Sequence, residues 1–363
     1  MQKHNKYSSD DKDRRLTLAF RSDSGSITKT FLVSLLTLSL VPVLGGGCTK
    51  NEDEGRIEDD LIYTKTALES PAETSIRCLD IFFFNDDRLQ RLDSYQRFEG
   101  GTITSATCAS RSGPKILVVL ANASEDRFTW SEINSLSALS RITAELGNEN
   151  PAAPVMSAAV RLKAGADKSV RMVLEPLMAK IVLKAISADF SGRSYSGARL
   201  ENVKVYLTNV AGACRMIPDS TDSAPGIILN SGRLSESDLK SLAIPGMLYH
   251  ELQGPAGTAV RRPGMEFFCY PSEADRPGLG TPPTRLVVEG QIDGKTYYYP
   301  VEVNRSALGR TPPGISRNNR YEVSMYITRK GSDNPDTSIE PGTARVNLEI
   351  EDWTPKPPTV EKY

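Results

Sequence analysis

The sequence predicts an all-β protein made of two tandem antiparallel β-sandwich domains, with one or two short helices. Short apolar runs recur along the chain, glycine- and proline-rich turns separate them, and few segments have a helical period. With 363 residues, the chain is long enough for two domains that each bury a core.

Nine segments have the composition of β-strands: 76–85, 115–123, 169–186, 201–210, 265–271, 284–292, 295–304, 320–329 and 344–352. In the second, Ile116 to Leu120 is apolar on both faces, which predicts a central strand with Val118 on one face and Val119 on the other. Asp293-Gly294 predicts a hairpin turn, because glycine adopts the positive φ of such turns without steric cost. In the last segment, apolar residues alternate with polar ones, which predicts one face on a core and one in water.

One segment has a helical period. Between Thr129 and Leu146 an apolar residue recurs at every third position, and Thr129 and Glu132 have the spacing of a capping box. The pattern predicts a helix over 129–146.

The N-terminus is typical of an exported lipoprotein. Phe31 to Leu44 is an apolar run of fourteen residues, shorter than the roughly 20 residues that span a bilayer as a helix. Three glycines and then Cys48 follow, in a pattern that resembles a lipobox. We therefore expect a signal peptide over 1–47, a lipid on Cys48 and a charged tether with a removable segment over 48–66. The alternatives are a soluble secreted protein cut near Cys48 and a buried apolar helix.

The composition argues against several functional classes. The net charge is −1, so no global field attracts nucleic acid. After export, His250 is the one remaining histidine, and no zinc or calcium motif is present. We predict no enzymatic activity, no cofactor and no metal site.

Four cysteines remain after Cys48: Cys78, Cys108, Cys214 and Cys269. Cys78 and Cys269 lie in apolar runs, which favours free, buried thiols. Export also permits a disulfide, with Cys78 and Cys108 as the most plausible pair. The sequence does not decide between these states.

Eight segments, in this order along the chain, resemble the fimbrillins or type V pilins of Bacteroidetes: 78–87, 115–124, 173–186, 205–212, 267–275, 284–304, 317–328 and 346–355. The resemblance implies a surface lipoprotein with two transthyretin-like β-sandwich domains. With the boundary at Pro176, these domains cover 67–176 and 177–363.

The resemblance also implies assembly by strand exchange. A trypsin-like protease cuts after a basic residue near the N-terminus, and a strand from the next subunit fills the vacated groove. Arg56 and Lys65 are the candidate cleavage positions. The segment Ile57 to Ala67, with Leu61 and Tyr63 in alternation, is the expected weak strand. The extended tail, with Thr354, Val360 and Tyr363, is the candidate donor, and the strand 344–353 before it is the alternative.

The predicted function is therefore a structural subunit of a cell-surface fimbria that serves adhesion. The expected partners are other pilin subunits and, before processing, the outer membrane through the lipid on Cys48. The alternatives are a tip or anchor subunit that keeps its lipid, and a glycan-binding or glycan-cleaving surface lipoprotein.

Overall fold

The computed structural model describes residues 61–124, 128–217, 228–232, 234–235, 237–239, 246–273, 282–305, 313–340 and 342–354. The described residues belong to one compact unit. Strands account for most of the regular structure, which confirms the all-β prediction. The predicted signal peptide and Cys48 lie outside the described residues.

The first half of the chain contains nine strands and one short α-helix. They are β1 Leu61–Glu69, β2 Cys78–Asn85, β3 Leu92–Glu99, β4 Ser105–Arg111, β5 Gly113–Ala121, α1 Leu136–Leu139, β6 Thr143–Glu145, β7 Met156–Ala164, β8 Ser169–Val173 and β9 Glu175–Pro176.

These strands form two main sheets with an apolar core between them. One sheet has the order β4-β1-β8 and the other the order β3-β2-β5-β7-β9. The enclosed core, called core 1 here, includes Phe83 of β2, Leu117 and Val119 of β5, and Cys108 of β4. Because β5 is paired on both sides and buried on both faces, the prediction of a central strand is confirmed.

The second half contains thirteen described strands. They are β10 Ala179–Ala188, β11 Glu201–Thr208, β12 Val210–Ala211, β13 Ala213–Arg215, β14 Ile228–Leu229, β15 Tyr249–Glu251, β16 Met265–Cys269, β17 Ser272–Glu273, β18 Arg285–Ile292, β19 Lys295–Glu302, β20 Gly314–Ile315, β21 Asn319–Ile327 and β22 Ala344–Asp352.

Two four-stranded sheets enclose the core of this half. Their orders are β16-β10-β21-β22 and β15-β11-β18-β19. Strands β18 and β19 form the predicted hairpin, and Asp293 and Gly294 in its turn both have positive φ, 52° and 76°. This confirms the predicted hairpin turn.

The outer face of the five-stranded sheet also packs into the second core. Val118 of β5 and Trp130 belong to the same apolar cluster as Ile181 of β10 and Val323 of β21. Pro176 ends β9 in the first half, and Ala179 begins β10 in the second. The two halves therefore share one continuous apolar interior, and the division into domains at Pro176 stays a prediction.

The predicted helix over 129–146 is wrong. The segment has a 3₁₀ turn at Trp130–Glu132, the four-residue α1, and then β6. Thr129 makes no capping hydrogen bond, and Ile133 is extended, so the first turn stops there. Ser135 caps α1 instead by accepting from the Ala138 backbone N–H at 3.3 Å. Apolar residues at every third position do not stay on one face of an α-helix, because its period is about 3.6 residues. Packing against the core therefore determines the backbone conformation here.

Strand β22 differs from its prediction in one respect. It pairs with β21 along its whole length, from Asn319 opposite Asp352 to Ile327 opposite Ala344. Leu348 and Ile350 are half-buried, but Val346 is 40% exposed. The strand lies at the edge of its sheet, and an edge strand is covered less completely by the facing layer.

Candidate functional site

Strand β1 occupies a middle position in its sheet. It pairs antiparallel with β4, from Leu61 opposite Arg111 to Ala67 opposite Ser105. On its other side it pairs parallel with β8, from Lys65 opposite Ser169 to Glu69 opposite Val173. Glu69 also forms an ion pair with Arg171 of β8. Loss of β1 would therefore leave two unpaired strand edges with a gap between them.

The inward face of β1 carries threonines rather than its alternating apolar residues. Leu61 and Tyr63, the apolar residues in alternation, point outward and are 56% and 64% exposed. Thr64 and Thr66 point inward and are fully buried. The strand also extends beyond Ala67, to Glu69. The alternation of Leu61 and Tyr63 predicted a weak strand, but side-chain alternation alone does not show which face meets the core.

The two buried threonines are poorly suited to an apolar core. The Thr66 hydroxyl has no hydrogen-bond partner among the described residues. The Thr64 hydroxyl is 3.5 Å from the backbone oxygen of Asp167, a long contact. A buried hydroxyl without a partner costs roughly 1–3 kcal/mol. β1 therefore completes the sheet through its backbone, while its two fully buried side chains contribute little favourable burial; Leu68 packs against the edge of core 1.

Cys108 of β4 lies directly opposite Thr64 and belongs to core 1. Burial raises the pKa of the Cys108 thiol to about 12. The thiol is therefore protonated and unreactive while β1 is in place. The thiols of Cys78 and Cys108 are not joined to each other, so no disulfide links these two described residues.

A charged cluster connects the segment after β1 to the second half of the chain. Lys180 of β10 is buried, and its Nζ is 2.9 Å from Glu73 Oε1 and 3.1 Å from Glu266 Oε1. Trp353, at the end of β22, donates its indole N–H to the same Glu73 oxygen at 2.7 Å. The ammonium also lies 5.1 Å from the centre of the Trp353 ring. We call Lys180, Glu73, Glu266 and Trp353 the Lys180 cluster.

The pKa of Glu73 is lowered by this cluster. Partial burial by itself raises the pKa, but the hydrogen bonds from Lys180 and Trp353 and the charge of Lys180 outweigh it. The ionised carboxylate therefore holds the segment between β1 and β2 against the end of β22.

The candidate cleavage residues differ in accessibility. Lys65 lies in the middle of β1, and its backbone N–H donates to the Lys168 oxygen at 3.0 Å. A protease cleft needs an extended backbone that is not already paired, so β1 protects this bond. Arg56 lies outside the described residues. The sequence reasoning did not consider Arg77, which is exposed in the loop between β1 and β2. The sequence feature that could have indicated Arg77 is its position as a basic residue just before the first strongly apolar strand.

The predicted donor segment begins at a residue that is held in place. Thr354 is buried, its N–H donates to Asn318 Oδ1 at 2.8 Å, and its hydroxyl donates to the Leu174 oxygen at 3.3 Å. Val360 and Tyr363 lie outside the described residues. A donor strand from the tail would therefore consist of residues after Thr354, and the donor roles of the tail and of the alternative strand 344–353 stay predictions.

His250 and Trp353 have structural environments. His250 is half-buried in β15. Its Nε2 lies 2.8 Å from the backbone oxygen of Glu266, and its ring packs against the Phe267 ring in a T-shaped arrangement. Trp353 is buried in the second core. No helix among the described residues is long and apolar enough to cross a membrane.

No protein-family model matches the sequence, and no curated protein matches it either. Solved structures with the same fold do exist. A candidate cell adhesion protein from Parabacteroides distasonis has a TM-score of 0.61 and 16% identity, with 81% of this chain and 97% of that chain covered. A fimbrilin from Porphyromonas gingivalis has a TM-score of 0.58 and 17% identity, with coverage of 80% and 97%.

The tip fimbrial protein of Porphyromonas gingivalis, with a C-terminal truncation, has a TM-score of 0.51 and 12% identity. The match covers 81% of this chain and 100% of that chain. The protein therefore has the β-sandwich fold of the Bacteroidetes fimbrillins and fimbrial adhesion proteins.

Proposed function

We propose that the protein is a structural, non-enzymatic subunit of a cell-surface fimbria that serves adhesion and polymerises by strand exchange at the position of β1. One observation carries the proposal. β1 is paired on both sides, yet its two fully buried side chains are threonines, and one of them has no hydrogen-bond partner among the described residues. A donor strand with apolar side chains at these positions would restore both ladders and improve the core. The fold shared with a fimbrilin and a fimbrial tip protein supports this function.

Release of β1 requires a cut on its C-terminal side. A cut after Arg56 would leave β1 joined to the rest of the chain, and a cut after Lys65 would leave Thr66 to Glu69 in the sheet. Arg77 is the first basic residue after β1, and its side chain is exposed. Its backbone N–H donates to Asn122 Oδ1 at 2.9 Å and its backbone oxygen accepts from the Gly100 N–H at 3.1 Å, so cleavage after Arg77 requires local opening of these bonds. We therefore add Arg77 to the predicted candidates Arg56 and Lys65 and favour it as the processing position.

The tail 355–363 remains the best candidate donor. Strand β22 is paired with β21 through nine residues, so its donation would first break that ladder. The tail follows the buried Thr354 and requires no such step if it carries the donor strand. Its three prolines cannot donate to a ladder, so pairing would involve the last residues, including Val360 and Tyr363.

Export as a lipoprotein is the second element of the proposal. The short apolar run and the three glycines before Cys48 support a lipid on this cysteine, which would hold the precursor at the outer membrane. Radiolabelled palmitate is expected to enter the wild-type precursor and not Cys48→Ala. Equal labelling of the two proteins would contradict the lipid anchor.

Limited trypsin digestion tests assembly. The purified full chain is treated with trypsin and followed by size-exclusion chromatography and negative-stain electron microscopy. We expect monomers before digestion and fibres afterwards. Arg77→Gln should resist the productive cut and remain monomeric, whereas Arg56→Gln should assemble normally. Fibres of normal length from Arg77→Gln would exclude Arg77, and monomers from every processed form would contradict strand exchange.

A tip subunit is the second candidate, because the fold is also that of a fimbrial tip protein. A tip accepts a donor strand but donates none. Trypsin-treated protein lacking residues 355–363 should bind one undigested, untruncated subunit, whose own groove is still filled by β1, and then stop growing. If this pair does not form although β1 has been released, the untruncated protein donates no strand, and the tip function is favoured over the stalk function.

A further inference from the structure

Three polar side chains from adjacent strands meet at the end of core 1. Lys115 of β5 places its Nζ 2.6 Å from Asn85 Oδ1 of β2 and 3.0 Å from Asp93 Oδ2 of β3. The side chains of Lys115 and Asp93 are only 3% and 2% exposed. The amine and the carboxylate are thus held together where water has little access, and the carboxamide of the half-buried Asn85 contacts the amine.

The strand ladders determine this arrangement. Asn85 and Lys115 are direct partners in the antiparallel pair of β2 and β5. The register of β2 with β3 shifts between Phe83 and Phe84, which pair with Ser94 and Leu92. Asp93 is therefore the extra residue of a β-bulge, a feature that redirects a side chain. The backbone N–H of Arg111 on β4 donates to Asp93 Oδ2 at 2.9 Å and holds the carboxylate in position.

The surroundings of the amine are apolar. Lys115 precedes Leu117 by two residues on the same face of β5, and its partner on β7 is Leu162. Both leucines belong to core 1. Attack on a carboxamide requires a neutral amine, and the Asp93 carboxylate beside Lys115 can accept its proton. Fixed contact at hydrogen-bond distance also removes most of the entropy cost of bringing the reacting groups together.

We propose that Lys115 and Asn85 form an intramolecular isopeptide bond, with Asp93 as the acid–base group. Asp93 takes a proton from the Lys115 ammonium, and the free amine attacks Cγ of Asn85. A bond then forms between Nζ and Cγ, while the bond between Cγ and the amide nitrogen breaks. The nitrogen leaves as ammonia after taking one proton from Nζ, and it then takes the proton held by Asp93, so the products are the isopeptide, one ammonium ion and the regenerated carboxylate. No redox partner or external reactant is required.

The contrast with Lys180 shows why the amide matters. Lys180 is also buried and contacts two carboxylates, Glu73 and Glu266. Its hydrogen bonds to side chains go to these carboxylates, and an ionised carboxylate is not attacked by an amine. An ion pair alone would explain Lys180, but Lys115 has a carboxamide at a shorter distance than its carboxylate. The bond would join β2 to β5 covalently, whether or not the protein polymerises.

Peptide mapping of the full-length protein tests the bond. Trypsin is expected to release a branched product in which peptide 78–88 is joined to peptide 112–127, with a mass lower by one ammonia than the sum of the two. Trypsin does not cut at an acylated lysine, so peptides 112–115 and 116–127 should be absent. Full recovery of these two peptides, with 78–88 as a separate product, from folded wild-type protein would overturn the proposal.

Two variants assign the roles, and a third is the matched control. Asn85→Ala removes the electrophile and Asp93→Asn removes the acid–base group while keeping its shape, so both should give free peptides 112–115 and 116–127. Lys180→Met removes the other buried lysine and should retain the branched product. Circular dichroism establishes that each variant is folded. A branched product in folded Asp93→Asn would exclude Asp93 from the reaction, and one in Asn85→Ala would exclude Asn85.

Discussion

Thr64 of β1 and Cys108 of β4 are direct partners in an antiparallel ladder, and both side chains are fully buried. Partners in such a ladder have Cα atoms about 4.5–5.5 Å apart, within the range of about 4.4–6.8 Å found for disulfides. One native cysteine thus lies beside the strand whose exchange is proposed. A second cysteine on β1 would join the strand to its neighbour.

The variant Thr64→Cys should therefore control assembly through its redox state. Oxidation should form a disulfide with Cys108 that holds β1 in its sheet after cleavage at Arg77. Trypsin-treated protein should then remain monomeric by size-exclusion chromatography and should form fibres when a reductant is added. Non-reducing gels after digestion measure the cross-link directly, because β1 stays attached to the rest of the chain.

The matched control is Tyr63→Cys, whose side chain points outward and whose partner on β4 is Ala109. This variant should assemble equally well under oxidising and reducing conditions. If oxidised Thr64→Cys is fully cross-linked and still forms normal fibres, β1 does not leave during assembly.

The native Cys108 thiol should report the departure of β1. Burial raises its pKa to about 12, so it reacts slowly with a thiol reagent while the sheet is complete. Cleavage and release of β1 would expose the thiol, return its pKa towards the ordinary value and increase the fraction of reactive thiolate at neutral pH. Labelling by a maleimide, followed by peptide mapping, should show a rise of at least tenfold in rate at Cys108.

Cys269 is the internal reference for this measurement. It is fully buried in the second core, and burial also raises its pKa to about 12. Its labelling rate should not change on cleavage. A parallel rise at both cysteines would indicate general unfolding rather than the release of one strand.

The strands that the sequence predicts well are those with strong local signals. Ile116 to Leu120 is apolar at every position, and Asp293-Gly294 occupies a turn that demands positive φ, so each signal is sufficient without knowledge of the fold. The helix over 129–146 fails because its apolar spacing reflects contacts with the second core rather than a helical face. Contacts with residues that are far away in the sequence determine the backbone conformation of this segment, and a local sequence pattern carries no information about those contacts.

The candidate site was only partly predictable, for related reasons. A removable first strand was expected near Leu61, but its buried face and its end at Glu69 depend on the register with β4 and β8. Arg77 gains its significance only when β1 is known to end before it. Asn85, Asp93 and Lys115 are far apart in sequence, and the ladders and a bulge bring them together.

Replacing Thr66 by valine should stabilise the unprocessed protein. Valine has nearly the same shape and removes a buried hydroxyl that has no partner among the described residues. We expect a gain of about 1 kcal/mol in the free energy of unfolding, at the low end of the cost of such a group. Urea titration measures it. Thr107→Val, at an exposed position of β4 opposite Lys65, is the control, with an expected change within about 0.5 kcal/mol.

The same variant should slow assembly, because a better-packed β1 leaves its sheet less readily. Fibre formation after trypsin treatment should start later for Thr66→Val than for the wild type, with no delay for Thr107→Val. A destabilised Thr66→Val protein would show that the hydroxyl has a favourable environment, and the argument for a poorly fitting strand would then fail.

Glu73 should make stability depend on pH through the Lys180 cluster. Its pKa is lowered from the ordinary value of 4.5, so the folded state favours the ionised form. A carboxyl group with a depressed pKa contributes its stability above the pKa of the unfolded chain, and this contribution is lost as pH falls through the folded pKa. The wild type should therefore be more stable than Glu73→Gln above pH 4.5, and the difference should shrink as the pH falls below 4.5.

Urea titrations of both proteins across this range measure the difference, and Glu132→Gln, at an exposed glutamate, controls for the loss of one carboxylate. A constant difference between the wild type and Glu73→Gln at every pH would show that the charge of Glu73 does not hold the segment between β1 and β2.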